Sequence, residues 1–257
     1  MKFCVKSIAW LCLFAGALPA SLSAVQRSNA APASLPTAEA SPLTAIPLHP
    51  DVNVIVQQME QRNRVRAEEL KSYIDLRHYS VSYHGFPADL SATMVVRAHY
   101  RAPDSKTFQI VSTSGSRLLV NHVLKKLLDA EQEAALHPDE ASIAPANYTF
   151  TLLGTQTLDG SSCYILQADP KSSSHLLFQG KIWVDAADFA VTQLDAQPAR
   201  SPSFWIRDTH IHHVYSRTGF FWLPHSDRSV TRVRFGGTAV LTIDYGVYHT
   251  VARDAAH

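Results

Sequence analysis

Cysteine is scarce in this chain: three in 257 residues, Cys4, Cys12 and Cys163. The first two fall in a segment that reads as a removable leader. The mature chain then keeps Cys163 alone and has no intramolecular disulfide to staple it. Stability must come from a hydrophobic core, and a chain of this length can bury one of good size. Cys163 stands in Cys163-Tyr164-Ile165-Leu166, a strand-like pattern, where a lone cysteine serves as a small buried hydrophobe. Excess charge is also lacking, with 23 Lys+Arg against 22 Asp+Glu. That argues against a dedicated nucleic-acid binder, which needs a basic face to displace phosphate counterions. Beyond the N-terminal run no long apolar segment occurs, so no membrane-spanning helix is expected in the mature chain. The GxSxG, HExxH, CxxC and P-loop signatures are missing too. No enzymatic activity, cofactor or metal is expected.

The N-terminus carries Lys2 and Lys6, an uncharged apolar run from Ile8 to Leu18, Pro19, and then Ala20, Ser21, Ser23 and Ala24. This order is that of a secretory signal peptide over 1–24. An uncleaved anchor is the alternative, although the run is about half the ~20 residues that span a bilayer. Residues 25–50 are rich in Ala, Ser and Pro, carry no period and few large apolar groups, and read as a disordered linker. A single folded domain is expected over 51–252.

That domain opens with a helix over Asp51 to Ser72. Asp51 follows Pro50 and can cap it, and Val52, Ile55, Val56 and Met59 form one apolar face. Too few bulky apolar residues follow for a lipid-binding helix, so it is expected to dock on the protein's own sheet. The period then changes to two: Tyr79/Val81/Tyr83, Met94/Val96/Ala98 and Phe108/Ile110, with Gly85, Pro87 and Pro103-Asp104 between them. Connections this short make antiparallel strands. A second helix is expected over Arg117 to Leu136, with Leu119, Val120, Val123, Leu124, Leu127 and Leu128 as its stripe. Strand patterns resume after Asn147 and run to Leu241/Ile243/Tyr245, with turn signals at Asp159-Gly160, Asp169-Pro170, Thr218-Gly219 and Gly236-Gly237. The total is about ten strands and two main helices, an α+β class.

Several stretches in this frame resemble the outer-membrane lipoprotein-sorting (LolA/LolB-like) family. They are Asn147-Tyr148-Thr149-Phe150, Leu158-Asp159-Gly160, Gly180-Lys181-Ile182-Trp183-Val184-Asp185, Phe189-Ala190-Val191, Ser201-Pro202-Ser203-Phe204-Trp205 and Gly219-Phe220-Phe221-Trp222-Leu223-Pro224. The resemblance covers Asp51 to the C-terminus. It implies a strongly curved antiparallel sheet, an unclosed β-barrel, with helices plugging the concave side. It also implies a periplasmic binding or carrier protein for a lipid, acyl chain or lipidated protein. Secretion is the other destination, and an envelope sensor or structural interaction module with no lipid cargo is the other function. On that fold an apolar cavity is expected between Met94, Val96, Phe108, Ile110, Phe235, Leu241 and Ile243 on the sheet and Val123 and Leu127 on the helix. Close packing of these side chains on one another is the competing expectation.

Other clusters carry less. His210 and His212 share a strand face and could reach a metal, with a third ligand from His225 or Asp227, but two ligands are too few. Asp185 and Asp188 bracket a tight turn, where carboxylates bond local amides. Trp205 and Trp222 belong to an aromatic strip that either packs neighbouring strands or docks a membrane or a partner protein. A secreted hydrolase would need a cleft in which a His meets an Asp or Glu.

Overall fold

The structure is a computed structural model that describes residues 50–103, 105–136, 139–201, 206–234 and 236–253. The expected leader and nearly all of the expected linker lie outside the described residues, as do Phe204, Trp205 and Phe235.

Asp51 starts the first element. Its carboxylate accepts the amide of Asn53 at 2.8 Å, satisfying one of the donors that a helix leaves free at its start. Helix α1 covers Val52–Glu69 and buries Ile55, Val56 and Met59. It ends at Glu69 rather than Ser72, because Leu70 already enters strand β1 (Leu70–His84). The early half of β1 escaped the sequence pattern because its polarity is inverted. Tyr73, Asp75 and Arg77 face inward, while Ile74 and Leu76 face out. A period of two is present, but with charge on the covered face.

Strands β2 (Leu90–Arg101) and β3 (Ser105–Gly115) follow. The second helical segment comes next: a turn of α-helix, α2 (Arg117–Leu119), a π-helical turn (Val120–Leu124), and α3 (Lys125–Leu136). The rest is strand: β4 (Tyr148–Leu158), β5 (Ser161–Pro170), β6 (Phe178–Asp185), β7 (Val191–Pro198), β8 (Ile206–Thr218), β9 (Phe221–Val233), β10 (Thr238–Tyr245) and β11 (His249–Ala252). The β4–β5 hairpin turns on Asp159 and Gly160, both at positive φ (47° and 83°), as a two-residue hairpin of primed type requires.

All eleven strands belong to one antiparallel sheet in the order β3-β2-β1-β10-β9-β8-β7-β6-β5-β4, with β11 also on β1. The sheet is open and curved, with β3 and β4 at its edges. The strand beyond the expected ten or so is β11, which continues the pairing that β10 leaves off. Strand β10 runs along Arg77–His84 and β11 along Leu70–Ile74, and the Gly246 amide bonds the Leu76 carbonyl at 2.8 Å between them.

Each helical segment covers one half of the inner face. Helix α1 packs Ile55, Val56 and Met59 against Tyr148, Leu166, Phe178, Ile182, Leu194 and Ile211. The second segment packs on β1, β2, β9 and β10 in a separate apolar cluster. Met59→Ala should therefore cost about 2–5 kcal/mol, the range for truncating a fully buried side chain. Urea denaturation measures it, and an unchanged midpoint would show that α1 is not docked.

Candidate functional site

The second helical segment leaves the sheet at a forced turn. Gly115 sits at φ 87°, and a Cβ there would lie 2.3 Å from the Ser91 carbonyl oxygen, so only glycine fits. Ser116 then caps the helix, its hydroxyl accepting the Leu119 amide at 3.5 Å. The segment lays Leu119, Val120, Leu124, Leu127 and Leu128 over the half of the sheet that includes β1 and β2.

The expected cavity residues divide as follows. Met94, Val96, Leu127, Leu241 and Ile243 are buried together in one cluster, and Phe108 and Val123 pack against its margin. Ile110 pairs in register with Val96 and so shares its face, yet it is 40% exposed, because β3 is an edge strand that the helix covers only in part. Phe235 lies outside the described residues. The side chains that the structure brings together contact one another directly.

The cluster borders a set of charges that the sequence pattern did not single out. Arg77 is 1% exposed. Its Nε donates to Asp75 Oδ2 at 2.7 Å, its Nη2 to Asp75 Oδ1 at 3.3 Å, and its Nη1 to Glu131 Oε1 on α3 at 2.8 Å. Lys106 of β3 donates to the same Glu131 oxygen. The Arg77 guanidinium also lies 4.8 Å from the Tyr245 ring centre and 5.6 Å from that of Phe108, so aromatic groups meet its cation as carboxylates meet its edge. Burial works against ionisation of Glu131, but the charges of Arg77 and Lys106 outweigh it and hold the carboxyl down at about 2. Sequence did offer one signal: Glu131 continues the i, i+3, i+4, i+7 series of Leu124, Leu127 and Leu128, a charge on a greasy stripe.

The polar strip extends along the sheet. Tyr245 donates to Asp227 Oδ2 at 2.6 Å, and His213 Nδ1 lies 2.5 Å from Asp227 Oδ1 without hydrogen-bond alignment. Both His213 and Asp227 are buried, so this His–Asp pair lies in the interior and not in the open cleft that a hydrolase would present. Asp227 is thereby committed to His213 rather than to the outward histidines. On the outer face His212 Nδ1 and His210 Nε2 approach Asp195 Oδ1 at 2.9 and 3.6 Å. No group of three or more His, Cys, Asp or Glu arranged to hold a metal occurs among the described residues. Asp185 stabilises its turn, accepting the amides of Ala187 and Asp188 at 2.9 and 2.7 Å. Cys163 is buried, and that burial raises its thiol pKa. Among the described residues no helix is long and apolar enough to cross a membrane.

No protein-family profile matches the sequence. No curated protein matches it either. Structural neighbours include DUF1329, outer-membrane lipoprotein-sorting and LolA superfamily proteins. A DUF1329 family protein from Desulfovibrio piger has TM-score 0.42 and 12% identity over 77% of this chain and 92% of that one. An outer-membrane lipoprotein-sorting protein domain from Vibrio parahaemolyticus has TM-score 0.37 and 10% identity over 76% and 91%. A LolA superfamily protein from Nitrosomonas europaea has TM-score 0.31 and 13% identity over 79% and 94%. At these values the chemistry of the site has to come from this chain's own residues.

Because the Glu131 carboxyl is held down at about 2 from an ordinary 4.5, its contribution to stability is complete above pH 4.5 and fades as pH falls toward 2. Glu131→Gln should cost about 3 kcal/mol at pH 7 and should flatten that part of the acid limb. Urea midpoints measured against pH check this, and parallel curves for the two proteins would contradict it.

Proposed function

We propose that the protein is a non-catalytic binding or carrier module of the bacterial periplasm that takes up a lipid or acyl chain between the second helical segment and the inner wall of the sheet. One observation carries the reading: a leucine-rich helix lies over an apolar wall beside the open β3 edge and is pinned to it by Glu131. Such a helix is a lid, since moving it uncovers apolar surface without breaking the sheet.

Magnitudes restrict how it moves. Ten buried methylenes contribute ~8 kcal/mol at about 0.8 each. That exceeds the ~3 kcal/mol of a buried ion pair. It does not offset loss of that pair together with full exposure of Leu119, Val120, Leu124, Leu127 and Leu128 at ~1.5–3 kcal/mol each, about 10–18 kcal/mol in all. The helix must therefore shift and stay in contact with the chain it admits. The wall residues Met94, Val96, Leu241 and Ile243 and the lid residue Leu127 form the acyl-facing surface, with Phe108 and Val123 at its margin and Ile110 as a further contact.

A second reading has its own support. Wall and lid side chains already bury one another, as they would in an envelope sensor or structural module that carries no lipid and binds a protein partner through the same fold.

The two are separated by lipid extraction of gently purified full-length protein and by titration with a fluorescent fatty acid. The carrier reading predicts a copurifying lipid or saturable binding. It also predicts several-fold tighter binding by Lys106→Met, which loosens the latch and populates the open state. No lipid and no fatty-acid binding in either protein would leave the interaction module standing.

A further inference from the structure

The middle and C-terminal part of α1, the turn after β6 and the turn between β8 and β9 enclose a cleft of about 300 Å³, away from the inner wall. Arg62, Arg66 and Arg217 line it together with Asp188, Gln58 and Gln61, and Val65 and Phe220 complete it. The carboxylates nearby are already engaged. Asp188 Oδ2 takes the Trp222 Nε1 hydrogen bond at 3.1 Å and lies 3.3 Å from Arg217 Nη1. The Asp188 carbonyl accepts from Arg66, whose Nη1 also donates to Asn63 Oδ1 at 3.0 Å. Asp185, the next carboxylate, is occupied by the amides of its own turn. Arg62 has no ion-pair partner among the described residues.

The balance is positive, with three guanidinium groups against two carboxylates. Burial of Arg66 lowers its pKa, and Arg62 and Arg217 lower it further by repulsion, opposed by Asp188. Crowded cations beside a partly enclosed space are relieved by an anion. Guanidinium forks match the oxygens of a phosphate better than any other side chain does. Val65 and Phe220, 42% and 50% exposed, add apolar surface at the same place, where the glycerol or first methylenes of an amphiphile would rest.

We propose that this cleft binds a phosphate group, presented either by a free phosphate or by the headgroup of an anionic lipid. The site stands whether or not the inner wall takes an acyl chain.

Isothermal titration of the full chain with inorganic phosphate, and cosedimentation with phosphatidylcholine vesicles with and without phosphatidic acid, test it. Arg62→Ala and Arg217→Gln are compared with Arg64→Ala, an exposed α1 residue outside the cleft. The expected result is saturable binding of at least one probe, weakened tenfold or more by Arg62→Ala and by Arg217→Gln and unchanged by Arg64→Ala. Binding of phosphate assigns a free ion or ester as ligand, and binding of phosphatidic-acid vesicles alone assigns the lipid headgroup. No saturable binding of either probe, or equal binding by all variants, overturns the proposal.

Discussion

A buried guanidinium must be neutralised where it sits, and Arg77 sits in the middle of the covered face. Left without a counter-charge it would cost several kcal/mol. Asp75, two residues away on the same strand, meets one edge of the fork, and Glu131 meets another from α3. Glu131 thus fixes where the helix crosses the sheet, a job that leucines alone do loosely because apolar contact has no direction. Well-packed hydrophobic replacements can match or exceed the stability of such networks. What this network supplies is position: one helix register over β1 and β3, with Lys106 closing the rim.

That constraint shapes the interior. Apolar packing divides into two clusters, one under α1 and one under the second helical segment. Asp75, Arg77, Tyr245, Asp227 and His213 run across the neighbouring strands β1, β10, β9 and β8 as a polar strip. Among the described residues no ion pair in the core ties α1 to its half of the sheet; its buried Arg66 instead donates to the Asp188 carbonyl in the turn after β6. The half under α3 combines an edge strand, a glycine-forced departure at Gly115 and a charged pin, the parts that a hinged cover needs. Apolar contact holds the helix on the wall, and the ion pair fixes its position there.

Sequence pattern alone was enough for the antiparallel architecture, the two helices and most inward-facing sets. Met94/Val96/Ala98 and Leu241/Ile243/Tyr245 alternate cleanly because their neighbours face solvent. The start of β1 was not legible, since Ile74 and Leu76 point outward and Asp75 and Arg77 inward, the reverse of what hydrophobicity indicates. The latch was hidden for the same reason. Its members lie 54 and 25 residues apart along the chain for the Arg77–Glu131 and Lys106–Glu131 pairs, and no local rule joins them. Ile110 shows the opposite limit: alternation gives its face correctly by register, but not that the cover ends before it.

Native-state hydrogen exchange resolved by residue gives the most direct test of a helix pinned over the wall as a separable cover. The account predicts that amides of Arg117–Leu136 open together at a lower free energy than those of β1, β2, β9 and β10, and that Glu131→Gln lowers the helix value further while the strands keep theirs. Identical opening free energies for helix and strands, shifted equally by Glu131→Gln, would mean that the helix is an inseparable part of the core and not a cover.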